Sequence, residues 1–187
     1  MRARGVRQGF CDGLIKAGVS KKLVAKLEPY LGQKKENAQA ALDKFGSLKL
    51  SQAEADELDN AIYQDHLKDA RKNFDKDVDA ANAADLKSGK TPKTKRAHFD
   101  NLPPTMQTVV MSTTYNMGAH YGASKHSKLR RDLWHNLIDN NGVGAEISLR
   151  RLGSALDNPH EHKGVRNRRL REANYLRGYN RKKSKYM

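Results

Sequence analysis

The sequence predicts a mainly α-helical protein, and three observations carry that expectation. Apolar residues recur at three- and four-residue spacing over most of the chain. Several of these periodic stretches end at a glycine or begin at a proline. No stretch alternates cleanly enough for a substantial sheet, although a short hairpin near the N-terminus would escape such a reading. With 187 residues the chain is long enough for one domain, or a compact pair of subdomains, around a real core. Only 37% of it is hydrophobic, so that core must lean on alanine, methionine and tyrosine.

The first clear helix runs from Glu36 to Phe45, where Ala38, Ala41, Leu42 and Phe45 share one stripe before Gly46. Ser51 followed by Glu54 is a capping-box pattern, because the hydroxyl and the carboxylate can each accept a bond from an amide left unpaired in the first turn. A helix from about Gln52 to Ala80 follows, with room for a bend or break, through Ala55, Leu58, Ile62, Ala70, Phe74 and Val78. Its Asp/Lys-rich opposite face reads as solvated surface. Residues 88–98 form a polar interruption.

Pro103-Pro104 opens the next helix, since the first turn does not need the missing amides, and Met106, Val109, Val110, Thr113 and Met117 form its stripe before Gly118. Leu129, Leu133, Trp134, Leu137 and Ile138 mark another, ended by Asn140-Asn141-Gly142. Ala145, Leu149, Leu152 and Leu156 mark the one after, which stops near Pro159. A last basic helix spans Arg166 to Gly178 and buries Leu170, Ala173 and Leu176, with Arg169 and Glu172 as an exposed i,i+3 pair and 179–187 as a basic tail.

Charge narrows the partners. With 36 Lys and Arg against 21 Asp and Glu, the formal net charge is +15, which suits a polyanion such as nucleic acid, an anionic membrane surface or an acidic wall polymer. The excess is uneven: residues 1–100 carry 20 cationic and 15 acidic side chains, residues 101–187 carry 16 and 6. No run of apolar residues is long enough to span a bilayer, and Met1-Arg2-Ala3-Arg4 lacks the apolar stretch of a signal peptide.

Cys11 is the only cysteine, which excludes an intramolecular disulfide and a multi-cysteine metal site. Beside a start that reads as disordered, it is expected to be inert rather than a nucleophile paired with a histidine. His120, His126 and the His160-Glu161-His162 run lack further ligands placed by secondary structure, so no metal is assigned, and no cofactor motif such as a phosphate loop or a nucleotide-binding glycine fingerprint is present.

Leu102-Pro103-Pro104 to Tyr115-Asn116-Met117-Gly118 is more informative. It places an aromatic and an amide at the end of a helix, where Tyr115 can stack on a ligand ring and Asn116 can both donate to and accept from a sugar amide. The alternative is that Tyr115 packs in the core and Asn116 caps the turn.

Together with Leu27-Glu28-Pro29-Tyr30-Leu31-Gly32, the Leu50-Ser51 start of the acidic helix, Trp134 and Arg168-Arg169-Leu170-Arg171-Glu172-Ala173, this segment resembles the pesticin and phage T4-type muramidase group of lysozyme-like domains. The matched features fall in order over most of residues 14 to 178. The resemblance implies one lysozyme-like helical domain over 1–187, with a small N-terminal part and a larger C-terminal helical bundle around a glycan cleft. It implies peptidoglycan glycan strands as the target and cleavage of the β-1,4 bond after N-acetylmuramic acid. Tyr115, Asn116 and Arg169 become the substrate-binding residues, and an immunity or delivery protein becomes a further partner. The protein would be made in a bacterial or phage-infected cytoplasm and act in the periplasm or at the wall once delivered, as a bacteriolytic, antimicrobial agent.

The departure from the pattern lies at the N-terminus. The resemblance calls for a glutamate as general acid, then a threonine and an aspartate on a short hairpin. Here the nearest stretch is Gly5-Val6-Arg7-Gln8-Gly9-Phe10-Cys11-Asp12-Gly13; Arg7 stands at the threonine position, and no acidic residue precedes Asp12. Glycoside hydrolysis normally needs two carboxyl groups, one of them with a raised pKa. Asp12 and Glu28 are the local substitutes, although Glu28, beside Pro29 and Tyr30, reads more simply as a helix-ending or surface group. A truncated N-terminal segment, a relative that has lost catalysis and an enzyme with a displaced acid all fit this pattern. Rival functions are a basic helical nucleic-acid-binding protein using Arg166, Arg168, Arg169 and Arg171, and a non-catalytic immunity or scaffold protein.

Overall fold

The computed structural model describes residues 2–93, 96–118, 127–155 and 163–184, with side chains for those between 8 and 181. The described residues form eight α-helices and one short 3-10 turn in the order α1 (Arg2–Lys16), α2 (Lys21–Leu27), α3 (Glu36–Phe45), α4 (Gln52–Lys87), the 3-10 turn (Phe99–Asn101), α5 (Pro104–Met117), α6 (Lys128–Ile138), α7 (Gly142–Ser154) and α8 (Lys163–Ser184). No described residue is in a strand. The chain divides into two compact units, Met1–Leu67 and Lys68–Met187, and the division falls inside α4.

In the first unit, Cys11, Val19, Leu23, Val24, Leu27 and Ala61 form a small buried core. The start of the chain is therefore helical, and Cys11 is a core residue rather than part of a loose end. Ser20 caps α2, its hydroxyl accepting from the Leu23 amide at 3.3 Å, while its own amide donates to Glu57 Oε1. The expected stripe of α3 is only partly used. Ala41 is buried, but Leu42 and Phe45 are exposed, and Phe45 instead meets Tyr30 edge-on with the ring centroids 6.4 Å apart. The Tyr30 hydroxyl shares its proton between the carbonyls of Phe45 and Gly46, and α3 ends at Gly46, whose φ is 80°.

The capping box at the start of α4 is complete: the Ser51 amide donates to Glu54 Oε2 at 2.8 Å, and the Glu54 amide donates to Ser51 Oγ at 3.2 Å. Lys26 Nζ also reaches Glu54, at 2.6 Å.

In the second unit, Phe74 is fully buried between the edges of Phe99 and Trp134, at centroid distances of 6.3 and 5.5 Å. Burying large aromatic faces in this crossed geometry is favourable beyond area alone. Here α4 extends past Ala80 to Lys87, and its acidic face is not simply solvated. Asp75 Oδ1 accepts from the Phe99 amide, Asp77 Oδ2 from the indole of Trp134 and Asp85 Oδ2 from Arg96, each at 2.7 Å. Arg96 also donates to Asp139, so the segment after the polar interruption is tied to α4 and to the end of α6. These aspartates satisfy buried donors, which a count of surface charge does not foresee.

Pro104 opens α5, and Met106, Val109, Val110 and Thr113 are fully buried on one face, joined by Thr114. Asn141 caps α7, its side chain accepting from the Gly144 amide. The last helix starts before Arg166 and runs past Gly178 to Ser184, so much of the expected tail is helix. Leu176 and Ala173 are fully buried, Leu170 only half so, and Arg169 takes the buried position instead. The Arg169–Glu172 pair is therefore interior, not the surface pair expected. Arg169, Glu172, Ala173 and Leu176 follow i, i+3, i+4, i+7 spacing, and the stripe includes the two charged residues.

Candidate functional site

The site is built where the end of α5 meets α8. Helical spacing turns Thr113 and Thr114 inward and leaves Tyr115, 59% exposed, and Asn116 on the outside. Gly118 ends the helix with φ of 84°, a left-handed conformation that costs glycine nothing, and its amide donates to the Thr114 carbonyl. Tyr115 is thus outside the core, and Asn116 does not serve as the cap.

The Asn116 amide is held on both sides. Its Nδ2 donates to the Ser112 carbonyl at 2.6 Å, and its Oδ1 accepts from Arg168 Nη1 at 2.5 Å. One turn inward, the Ser112 hydroxyl donates to Glu172 Oε1, which also accepts from Arg169 Nη2 at 2.7 Å. Burial pushes the Glu172 carboxyl above its ordinary value, opposed by Arg169, the Ser112 hydroxyl and Arg168. The polar chain therefore joins α5 to α8 and fixes the Asn116 amide against the Arg168 guanidinium, one residue along α5 from the exposed Tyr115. Such a surface can stack on the apolar face of a sugar and hydrogen-bond its amide or hydroxyls.

Of the residues expected to bind substrate, Tyr115 and Asn116 are consecutive on α5 and both exposed, and Arg169 is joined to Asn116's helix through Glu172 and Ser112 but is only 2% exposed. Its neighbour Arg168, expected only as a phosphate contact in the nucleic-acid alternative and not in the sugar-binding set, is the exposed cation that meets Asn116. The signal was present in the spacing of Arg169 with Ala173 and Leu176, which turns Arg169 inward and Arg168 away from the buried stripe.

Asp12 and Glu28 lie in the first unit. Asp12 is exposed on α1 and accepts from Gln8 Nε2 at 2.8 Å. Glu28 is exposed at the C-terminal cap of α2, where its backbone amide donates to the Val24 carbonyl. No hydrogen bond joins the two among the described residues. His120, His126, His160 and His162 lie outside the described residues, and no described group of His, Cys, Asp and Glu is arranged to hold a metal. No described helix is long and apolar enough to cross a membrane.

Comparison with known families decides the lineage. Residues 4–141 match the pesticin family, described as a bacterial toxin homologue of phage lysozyme, C-terminal part. The chain belongs to the pesticin family. Membership in this pesticin, phage-lysozyme-like group supports a peptidoglycan-targeting, lysozyme-like protein with a mainly α fold. The pesticin match runs from α1 to just past α6; it includes Asp12, Glu28, Tyr115 and Asn116, and it stops before α7 and α8. No curated protein and no solved structure matches the chain.

Proposed function

We propose that this pesticin-family chain grips the glycan strands of peptidoglycan without efficiently cleaving the β-1,4 bond after N-acetylmuramic acid. The observation that carries the reading is a contrast between the two sets of residues. Tyr115 and Asn116 sit on a wired surface, whereas Asp12 and Glu28 are both out in solvent.

A general acid for glycoside hydrolysis is kept protonated by burial in an apolar pocket, and it works opposite a second carboxyl at about 5 to 9.5 Å. Neither Asp12 nor Glu28 has such surroundings. Glu172 is buried enough, but its Oε1 is committed to Ser112 and Arg169 and its side chain is closed off from ligand. Grip on a sugar chain depends on stacking and hydrogen bonds, which do not require a proton donor.

Co-sedimentation with purified sacculi tests the binding half. Tyr115→Ala should weaken retention by roughly tenfold, in line with the ~0.5–1.5 kcal/mol of a ring contact plus the apolar area it covers. Retention that is indifferent to Tyr115 but falls steeply with salt, together with equal retention on duplex DNA, would favour a basic nucleic-acid-binding protein instead.

A further inference from the structure

In the first unit, α3 shows water the side chains that an amphipathic helix normally buries. Of its residues only Ala41 is buried. Leu42, 41% exposed, and Phe45, 52% exposed, stand at i and i+3 on one side of the helix. Phe45 is held in that position. Its ring meets the edge of Tyr30, the Tyr30 hydroxyl bonds the carbonyls of Phe45 and Gly46, and Lys44 Nζ lies 5.2 Å from the ring centroid. Exposed apolar side chains that cluster, unlike those scattered singly, mark a contact surface.

The surroundings are cationic. Lys34 and Lys35 precede α3, Lys44 lies on it and Lys49 follows it; all four are exposed, and none forms an ion pair among the described residues. Residues 16–49 carry eight lysines, no arginine and three acidic side chains. Two of those acids are on α3, but a turn of about 100° per residue carries Glu36 and Asp43 well round the helix from Leu42 and Phe45. Asp43 is also occupied, accepting from Gln39 Nε2 at 2.8 Å.

We infer that this face of α3 docks on an anionic lipid surface, with Leu42 and Phe45 entering the boundary between headgroups and acyl chains and the four lysines among the headgroup phosphates. Lysine is depleted from protein–protein interfaces, whereas cations framing an apolar face are the pattern of a helix that lies in a membrane interface. A lysine stem follows an apolar surface while its head stays in the polar layer, the geometry that Lys44 already has over Phe45. Nucleic acid would use the cations but leave Leu42 without a partner. With ten residues α3 is too short to span a bilayer, so it lies on the surface.

The test is co-sedimentation of the full chain with vesicles of phosphatidylcholine alone and of phosphatidylcholine with phosphatidylglycerol. The parent should bind the anionic vesicles saturably and the neutral ones at least about tenfold more weakly, because the lysines need lipid charge. Leu42→Ser combined with Phe45→Ser leaves the charge unchanged and should weaken binding to anionic vesicles about tenfold or more. Arg171→Gln combined with Arg177→Gln, at exposed positions of α8, removes charge elsewhere and should bind as the parent does. Phe45→Trp keeps a ring in place as a reporter. Its emission should shift to the blue on anionic vesicles, while the parent, whose only tryptophan is the buried Trp134, should show no shift. Circular dichroism of each variant separates lost binding from lost folding, and vesicles carry no glycan, so the result is independent of sacculus binding by the Tyr115 surface. No binding by the parent, equal binding to neutral vesicles, unchanged binding of the folded serine pair, a loss as large on the α8 substitutions, or no blue shift of Phe45→Trp would each overturn the inference.

Discussion

Arg169 and Glu172, three residues apart on α8, are buried together at 2% and 8% exposure, with Arg169 Nη2 donating to Glu172 Oε1 at 2.7 Å. The Ser112 hydroxyl of α5 donates to the same oxygen, so the pair is the bolt between the two helices that carry the Tyr115 surface. An exposed pair of this spacing is worth about 0.2–0.5 kcal/mol, whereas breaking a buried pair from one side costs about 3–5 kcal/mol because a charge is left alone.

Arg169→Leu should therefore destabilise the protein by about 3–5 kcal/mol at neutral pH in urea unfolding. Glu172 titrates above its usual value when folded, so its contribution is greatest below the unfolded value of 4.5 and is lost as pH rises through the raised folded value. The penalty of Arg169→Leu should accordingly shrink in acid, where the orphaned carboxyl takes a proton. A loss under about 0.5 kcal/mol at neutral pH would mean that the pair is solvated.

Glu54 has the opposite sign. The bond from Lys26 and the Ser51 amide hold its carboxyl down at about 2, against an ordinary 4.5. A depressed folded value gives stability that is present above pH 4.5 and lost as pH falls toward 2. The stability curves of the parent and Glu54→Gln should converge across that window. Parallel curves would show that the capping box and Lys26 do not hold the charge.

His98 should titrate above 6.5, because its ring meets Asp79 at 2.9 Å and that bond favours the charged form. Asp79→Asn should move its NMR midpoint back toward 6.5. An unchanged midpoint would mean that the two side chains do not meet in solution.

The indole of Trp134 donates to Asp77 Oδ2 at 2.7 Å. Asp77→Ala removes that acceptor and should cost about 1–3 kcal/mol, read by urea unfolding through the fluorescence of the only tryptophan in the chain. A cost near zero would mean that water replaces the carboxylate.

The legible parts of the fold were those set by local chemistry. Ser51 and Glu54 announce their capping box, Pro104 opens α5, and the stripe from Met106 to Thr113 is buried as its spacing requires. What was not legible depends on partners distant in sequence. Asp75, Asp77 and Asp85 look like solvated charge until the donors on Phe99, Trp134 and Arg96 arrive. Leu42 and Phe45 look buried from their spacing, yet both stay exposed, with Phe45 meeting Tyr30 edge-on. At the candidate site, Tyr115 and Asn116 were readable from the end of their helix, but the exchange of Arg169 for Arg168 needed charged residues to be counted as part of an apolar stripe.

The most direct test of the central claim is release of muropeptides from sacculi by the purified 187-residue chain, identified by mass spectrometry, with Glu28→Gln and Asp12→Asn alongside. The account predicts saturable sacculus binding by all three proteins and no muropeptides above the buffer control. Robust release by the parent that disappears in Glu28→Gln or Asp12→Asn, with folding and sacculus binding retained, would contradict it and identify that carboxyl as the displaced acid.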